Sequence, residues 1–365
     1  MRIERIVLRL VKAMLSQPFE NRWQRFEAWT KLIVQLDAGP VSGFGECSAM
    51  ETPFYNYETT ETAWHIVERY LAPMVLATGD AAPEEWRHIN GHEEAKGAVD
   101  SALWDLRARA ADRPLCVELG GRVRPVTVGA TIGIESSVDA LVEAAARAYD
   151  HGYRRVRIKI RPGWDLVPVH AVRAAFPDLP VIADANSAYS PADAERLRQL
   201  DDLDLLAIEQ PFGRSMIDAT VQLQHNMRAP ICLDESVKSL AELQAFVRRT
   251  ACRMVNIKVG RVGGLTEAIR IHDLCHDEGI PAFVGAKYDF GIGRWTNLAL
   301  ATLPGITLPS DVGPSARYYF HDGAEPTVEP HRPGLVQPLN AAGIGAIPTG
   351  DLETVREVVL EASRV

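Results

Sequence analysis

The stretch from 154 to 260 returns five times to one pattern: RRVRIKI (154–160), LPVIADAN (179–186), LDLLAIEQP (203–211), APICLDES (229–236) and CRMVNIKVG (252–260). Each is a short aliphatic, β-branched run that ends on polar residues. Between them stand amphipathic stretches such as SPADAERLRQL and SLAELQAFVRRT, read as helices; several such stretches stop at Gly or before Pro, as helices do. The rhythm extends both ways. PVTVGATIG (125–133) precedes it; IPAFVGA (280–286) and GITLPSD (305–311) follow. Eight strands, each with a following helix, predict a TIM-like (β/α) barrel over residues 125–320, with its active site at the C-terminal ends of the strands.

Five ionisable residues close those central strands: Lys159, Asp184, Glu209, Asp234 and Lys258, spaced 25, 25, 25 and 24 residues apart. That interval is one βα unit, so all five are expected at one mouth. Alternation agrees. Arg157 shares a strand face with Lys159, and Asn256 with Lys258, while Val156, Ile158, Val255 and Ile257 face the helices. Three converging carboxylates are costly without a cation. Oxygen donors with no His or Cys among them favour Mg²⁺, or Mn²⁺, over zinc. Lys159 and Lys258 stand on strands four apart in a ring of eight, on opposite sides of the mouth. They can approach one substrate carbon from either face. Each must be neutral to act as a base, and burial and a nearby cation are expected to lower its pKa. The chemistry these parts suit is removal of a proton α to a carboxylate, with the resulting enediolate stabilised electrostatically. The competing reading is that the same residues are ion pairs capping the barrel.

Residues 1–124 read as an α+β domain standing before the barrel: strands IERIVLRLV and FEAWTKLIVQLD, a Gly-rich turn SGFGE, then a helical tract through EEAKGAVDSALWDLRARA. Residues 321–365 are expected to pack back on that domain and to end in a helix, LETVREVVLEASRV. The 365 residues carry a net charge of −9, the wrong sign for a nucleic-acid or anionic-membrane partner. Five scattered cysteines without a CxxC pair suggest free thiols in a cytoplasmic protein. The N-terminus alternates charged and apolar residues and reads as a strand, not a signal peptide. No apolar run approaches the roughly 20 residues of a membrane span.

The motifs RxK (157–159), DAN (184–186), EQP (209–211), DES (234–236) and NIKVGRVGG (256–264) resemble the enolase superfamily and, within it, the muconate-lactonising subgroup. The resemblance implies metal ligation by Asp184, Glu209 and Asp234 and acid/base roles for Lys159 and Lys258. TPFYNYETTETAWHIV (52–67), KIRPGWD (159–165), DANSAYS (184–190) and RVGGLTEAIRIHDLC (261–275) resemble more closely the o-succinylbenzoate synthase and N-succinylamino acid (N-acylamino acid) racemase family. It implies a capping N-terminal domain (1–124) whose loops, near 16–24 and 50–57, set substrate preference. Two departures stand out. Arg157 replaces the first Lys of the family's KxK, and GAKYDFGIGR (285–294) carries Lys287 where Met and Asp289 where Glu are expected. Lys287 would pair with Asp289 or bind an anionic substrate group.

The expected substrate is a small-molecule carboxylate held by Arg157, Asn186, Asn256, Ser236, Lys287, Asp289 and Tyr55, in a homo-oligomer. Dehydration to o-succinylbenzoate and racemisation of N-succinylamino acids are the leading activities. Other subgroup chemistry (a dipeptide epimerase, cycloisomerase or acid dehydratase) is the alternative. A non-catalytic, metal-stabilised binding module is the alternative of another class. Arg22, Trp23 and Arg25 are either lid residues closing over an anionic substrate or a solvated charge cluster. His272, Cys275 and His276, at helical spacing, are read as surface residues rather than metal ligands.

Overall fold

The computed structural model describes residues 2–20, 25–79, 83–86 and 88–362. The N-terminal domain begins with an antiparallel meander: β1 (Arg5–Glu20), β2 (Arg25–Ala38) and β3 (Val41–Cys47). Their period-2 pattern sends Ile6, Leu8, Leu10, Leu32, Val34 and Leu36 to one face. That face is covered by α1 (Thr60–Ile66), α2 (Ala72–Thr78) and α3 (Glu93–Ala110). The segment SGFGE is strand rather than turn. Gly45 is there because α3 lies almost on the backbone: a Cβ at this position would sit 2.0 Å from the Ala98 carbonyl oxygen.

The barrel follows. Strands β4 (Ala130–Ile132), β5 (Val156–Lys159), β6 (Val181–Asp184), β7 (Ala207–Glu209), β8 (Ile231–Leu233), β9 (Met254–Ile257) and β10 (Ala282–Val284) form a parallel seven-stranded sheet in chain order. The expected eighth strand, 305–311, is not a regular strand. It closes the ring by single bridges, Ala282 to Ile306 on one side and Val128 to Ser310 on the other. The pairing is thin because Pro309 has no N–H and Gly305 ends the preceding turn. Helices including α4 (Val138–Asp150), α5 (Leu166–Ala175), α6 (Ala194–Arg198), α7 (Ile217–His225), α8 (Leu240–Val247), α9 (Leu265–Asp277) and α10 (Gly291–Leu300) alternate with the strands. Ser137 and Ser239 cap α4 and α8 by accepting backbone N–H groups. Outward-facing Val181, Ala183, Ile208, Ile231, Val255 and Ile257 join the main core, while Ile182, Ala207, Cys232, Met254 and Phe283 fill the barrel interior. All five cysteines are buried and free.

The tail corrects the sequence reading. Residues 353–361 are strand β11 (Glu353–Glu361), not helix, and β11 extends the first sheet in the order β11-β1-β2-β3. Val358 and Leu360 alternate inward with Val359 exposed, a period of two that fits the open edge of β1. Before β11 the tail touches both domains: Leu335–Val336 pairs with Val126–Thr127, and the Gly343 N–H donates to the Arg113 carbonyl. Of the expected lid at 16–24, residues 16–20 belong to β1, which runs to Glu20, and 21–24 lie outside the described residues. Arg22 and Trp23 lie outside the described residues; Arg25 is exposed beside Glu27. No described helix is long and apolar enough to cross a membrane.

Candidate active site

Strand ends decide what reaches the mouth. Lys159 and Asp184 are register partners across β5 and β6, and Asp184 and Glu209 across β6 and β7. Asp234 and Lys258 each follow directly on the last residue of β8 and β9. The five residues therefore come from five consecutive staves. Lys159 Nζ donates to Asp184 Oδ2 at 2.6 Å and to Asn186 Oδ1 at 2.5 Å. Lys258 Nζ donates to Asp234 Oδ2 at 2.7 Å and to the Tyr55 hydroxyl at 3.1 Å. Tyr55 arrives on the 50–57 loop of the capping domain, so the first domain completes the second domain's mouth.

The carboxylates are buried and each is engaged with positive charge. Asp184 accepts from Lys159 and lies 3.8 Å from Arg157; Glu209 Oε1 accepts from Arg157 at 2.7 Å and from Asn256 at 2.8 Å. Asp234 takes Lys258 and, through Oδ1, Arg261, whose Nε donates to the Val237 carbonyl at 2.8 Å. Among the described residues no three His, Cys, Asp or Glu side chains stand together as a metal-holding group in this arrangement. The donor set nevertheless suits a divalent ion. It is all hard oxygen, and Glu209 Oε2 is buried with no hydrogen-bond partner, an acceptor that a cation would satisfy. Burial alone would raise the Asp184 carboxyl, but the Lys159 and Arg157 charges outweigh it and hold it below the usual range.

At Lys258 burial and nearby charge oppose one another. Burial pushes its ammonium toward neutrality, but the oxygens of Tyr55, Glu235 and Glu209 push harder, and the net shift is upward.

The seven expected substrate contacts divide. Asn186, Tyr55 and Lys287 remain at the mouth. Arg157 does not: its guanidinium is 5% exposed and tied to Glu209, Asp311 and Thr131, a strut inside the barrel stacked 5.9 Å over Phe283. Asn256 is fully buried against Glu209, and Ser236 accepts from the Gln210 amide at 2.7 Å. Asn256 thus holds Glu209 at the end of β7, and Ser236 ties the segment after Asp234 to Gln210. Asp289 is buried and accepts the Lys287 backbone N–H and the Asn297 amide. The Lys287 ammonium passes over Asp289 and pairs instead with Glu94 at the start of α3. Glu94, Arg261 and Asp311 were not singled out from the sequence. Arg261 lies three residues past Lys258, one helical turn, which is the signal that could have found it. His272 and Cys275 are buried rather than on the surface, since His272 Nε2 accepts the Gly305 N–H and Cys275 sits in the core; His276 is exposed.

Comparison with known proteins agrees with this architecture. Residues 4–120 match the mandelate racemase / muconate lactonizing enzyme N-terminal domain, and 140–351 match the enolase C-terminal domain-like family. The chain is 42% identical over 348 residues to an o-succinylbenzoate synthase of Geobacillus kaustophilus, covering 94% of this chain and 92% of that one. It is 38% identical over 333 residues to an N-succinylamino acid racemase of Amycolatopsis sp, covering 90% of each. A crystal structure of an enolase superfamily member from Listeria innocua superposes with a TM-score of 0.95 at 31% identity, covering 100% of both chains. The capping sheet, the barrel and these matches together place the chain in the enolase superfamily, as a member of its mandelate racemase / muconate lactonizing enzyme family.

Proposed function

We propose that the chain is an enzyme that removes a proton α to a carboxylate, acting as an o-succinylbenzoate synthase, an N-succinylamino acid racemase, or both. The observation that carries the reading is the placement of Lys159 and Lys258 at the ends of β5 and β9, four staves apart, with Asp184, Glu209 and Asp234 on the staves between. The similarity to proteins named for those two activities supports it. Mg²⁺ is the proposed cofactor, held by Asp184, Glu209 and Asp234. Bound there, it supplies positive charge that stabilises developing negative charge on the substrate carboxylate and favours neutral amines nearby.

The chain's own residues do the rest. One amine takes the α-proton onto Nζ. In racemisation the other returns a proton to the opposite face. In dehydration the other stands as an ammonium beside the developing charge, and the β-hydroxyl leaves as water with the proton that the first amine took. Arg261 and Tyr55 keep Asp234 and Lys258 in place, and the buried free cysteines suit the reducing cytoplasm proposed for the chain. The test is α-proton exchange into deuterated water, followed on N-succinylamino acids and on the succinylbenzoate precursor. Lys159→Ala and Lys258→Ala should each lose about 10²–10⁴-fold in rate. Undiminished exchange in both would refute the two-base assignment.

A second reading within the same chemistry, a dipeptide epimerase, cycloisomerase or acid dehydratase, takes the departure at Lys287 as a contact to an anionic group other than a succinyl carboxylate. Native enzyme inactive on both substrate types selects it.

A further inference from the structure

Beside Lys258 lies a narrow, partly open cleft between the capping domain and the ends of β9 and β10, walled in part by Glu46, Ser48, Lys258, Lys287, Asp289 and Asn297. Its acids are engaged by the protein. Glu46 accepts the N–H groups of Phe290 and Gly293 at 2.7 Å each; Asp289 accepts from Lys287 N–H at 3.0 Å and Asn297 at 3.1 Å. Glu94, behind them, takes the Ser48 hydroxyl at 2.7 Å and the Lys287 ammonium.

Lys287 is different. Its side chain is 7% exposed, yet among the described residues its ammonium makes one hydrogen bond, to Glu94. An ammonium has three donors, and buried donors are normally satisfied. The Tyr55 ring lies 5.2 Å from Lys287 Nζ and 5.0 Å from Lys258 Nζ, so one ring is within reach of both cations, and both lysines line the one cleft. A buried ion pair is also a poor way to stabilise a wall. An apolar pair of similar volume is often as stable or more so. What the pair adds is an oriented cation facing the cleft.

We infer that Lys287, oriented by Glu94, is a specificity-determining residue that binds an anionic group of the substrate set off from the carbon beside Lys258. The inference deepens the proposed function and rests on it for the position of that carbon. The ligand class is a carboxylate carried on an acyl chain, such as the distal carboxylate of a succinyl group.

The test compares N-succinylglycine with N-acetylglycine, which differ in that distal carboxylate. Both are titrated calorimetrically into the full chain with Mg²⁺ present, and α-proton exchange of both is followed by NMR. The native chain should prefer the succinyl compound at least tenfold. Lys287→Met should reduce that preference at least tenfold, and Lys287→Arg should retain part of it. Lys287→Met leaves Glu94 without its cation, so Lys287→Met/Glu94→Gln is measured beside it and should lose the preference equally. Equal weakening of both ligands in the variants marks a purely structural pair and overturns the inference. So does a native chain with no preference. Absence of α-proton exchange with the Lys287-dependent preference intact overturns the proposed reaction and supports the inference.

Discussion

Arg157 shows how one side chain can be placed correctly and still be misread. Its alternation with Lys159 puts it on the inner face of β5, and it is there. Two residues further from the mouth, however, it meets Glu209 and Asp311 rather than open space, and burial by Phe283 fixes it. Its job is to neutralise carboxylates. Arg157→Met should therefore destabilise the fold by about 3–5 kcal/mol, because it strands buried charges, and urea unfolding measures this. The same contrast sets what was legible. Lys159, Asp184, Glu209, Asp234 and Lys258 could be read from sequence because one βα repeat separates each from the next. Glu94 comes from a different domain, and no local spacing ties it to Lys287; Tyr55, from the same domain, was expected at the mouth, but its bond to Lys258 was not. The upward shift of Lys258 was also hidden, since it depends on three oxygens from three separate segments.

At the scale of elements, the barrel strands were legible where two buried faces demand continuous aliphatic runs, and the ends of the chain were not. LETVREVVLE carries both a helical charge pattern and β-branched residues, and its local propensities do not choose between them. The open edge of β1 chooses: β11 pairs there from Arg5↔Glu361 to Lys12↔Glu353. The strand assignment makes a sharp prediction about neighbours in sequence. Val358→Asp, on the face packed against the capping-domain core, should cost about 1–3 kcal/mol. Val359→Asp, 41% exposed on the other face, should stay within about 0.5 kcal/mol. A helix would not separate adjacent residues so cleanly. Thermal unfolding of the two variants decides it. SGFGE was misread for a related reason. Glycines usually signal turns, but those in β3 make room for α3, a tertiary cause that the local sequence does not display.

At the scale of the whole molecule, the two domains meet through a shared apolar core, where Phe26, Trp29 and Phe44 join Phe290 and Trp295, and through buried polar groups. Asp100 accepts from Thr266, Lys287 pairs with Glu94, and Glu46 accepts the first N–H groups of α10. This docking fixes Tyr55 over the mouth, and it carries a pH signature. Burial, followed by the charge of Asp289, raises the Glu46 carboxyl from 4.5 to about 8. The folded state thus holds that proton more tightly than the unfolded chain. Its stabilising contribution is complete below pH 4.5 and is lost as pH climbs through about 8. Asp37 and Asp165, held below the usual carboxylate range despite partial burial by hydrogen bonds from Gln35, Ser42 and Arg196, act in the opposite sense and weaken the fold only in acid. Native chain should accordingly lose stability between about pH 5 and 8, in a window where those two aspartates contribute no slope. Glu46→Gln cannot ionise. It should be weaker than native at pH 5, since its amide cannot accept both the Phe290 and Gly293 N–H groups, but its stability should change less between pH 5 and 8. Urea midpoints measured across that range test the assignment, and parallel pH profiles for native chain and variant would place the titration elsewhere in the interface.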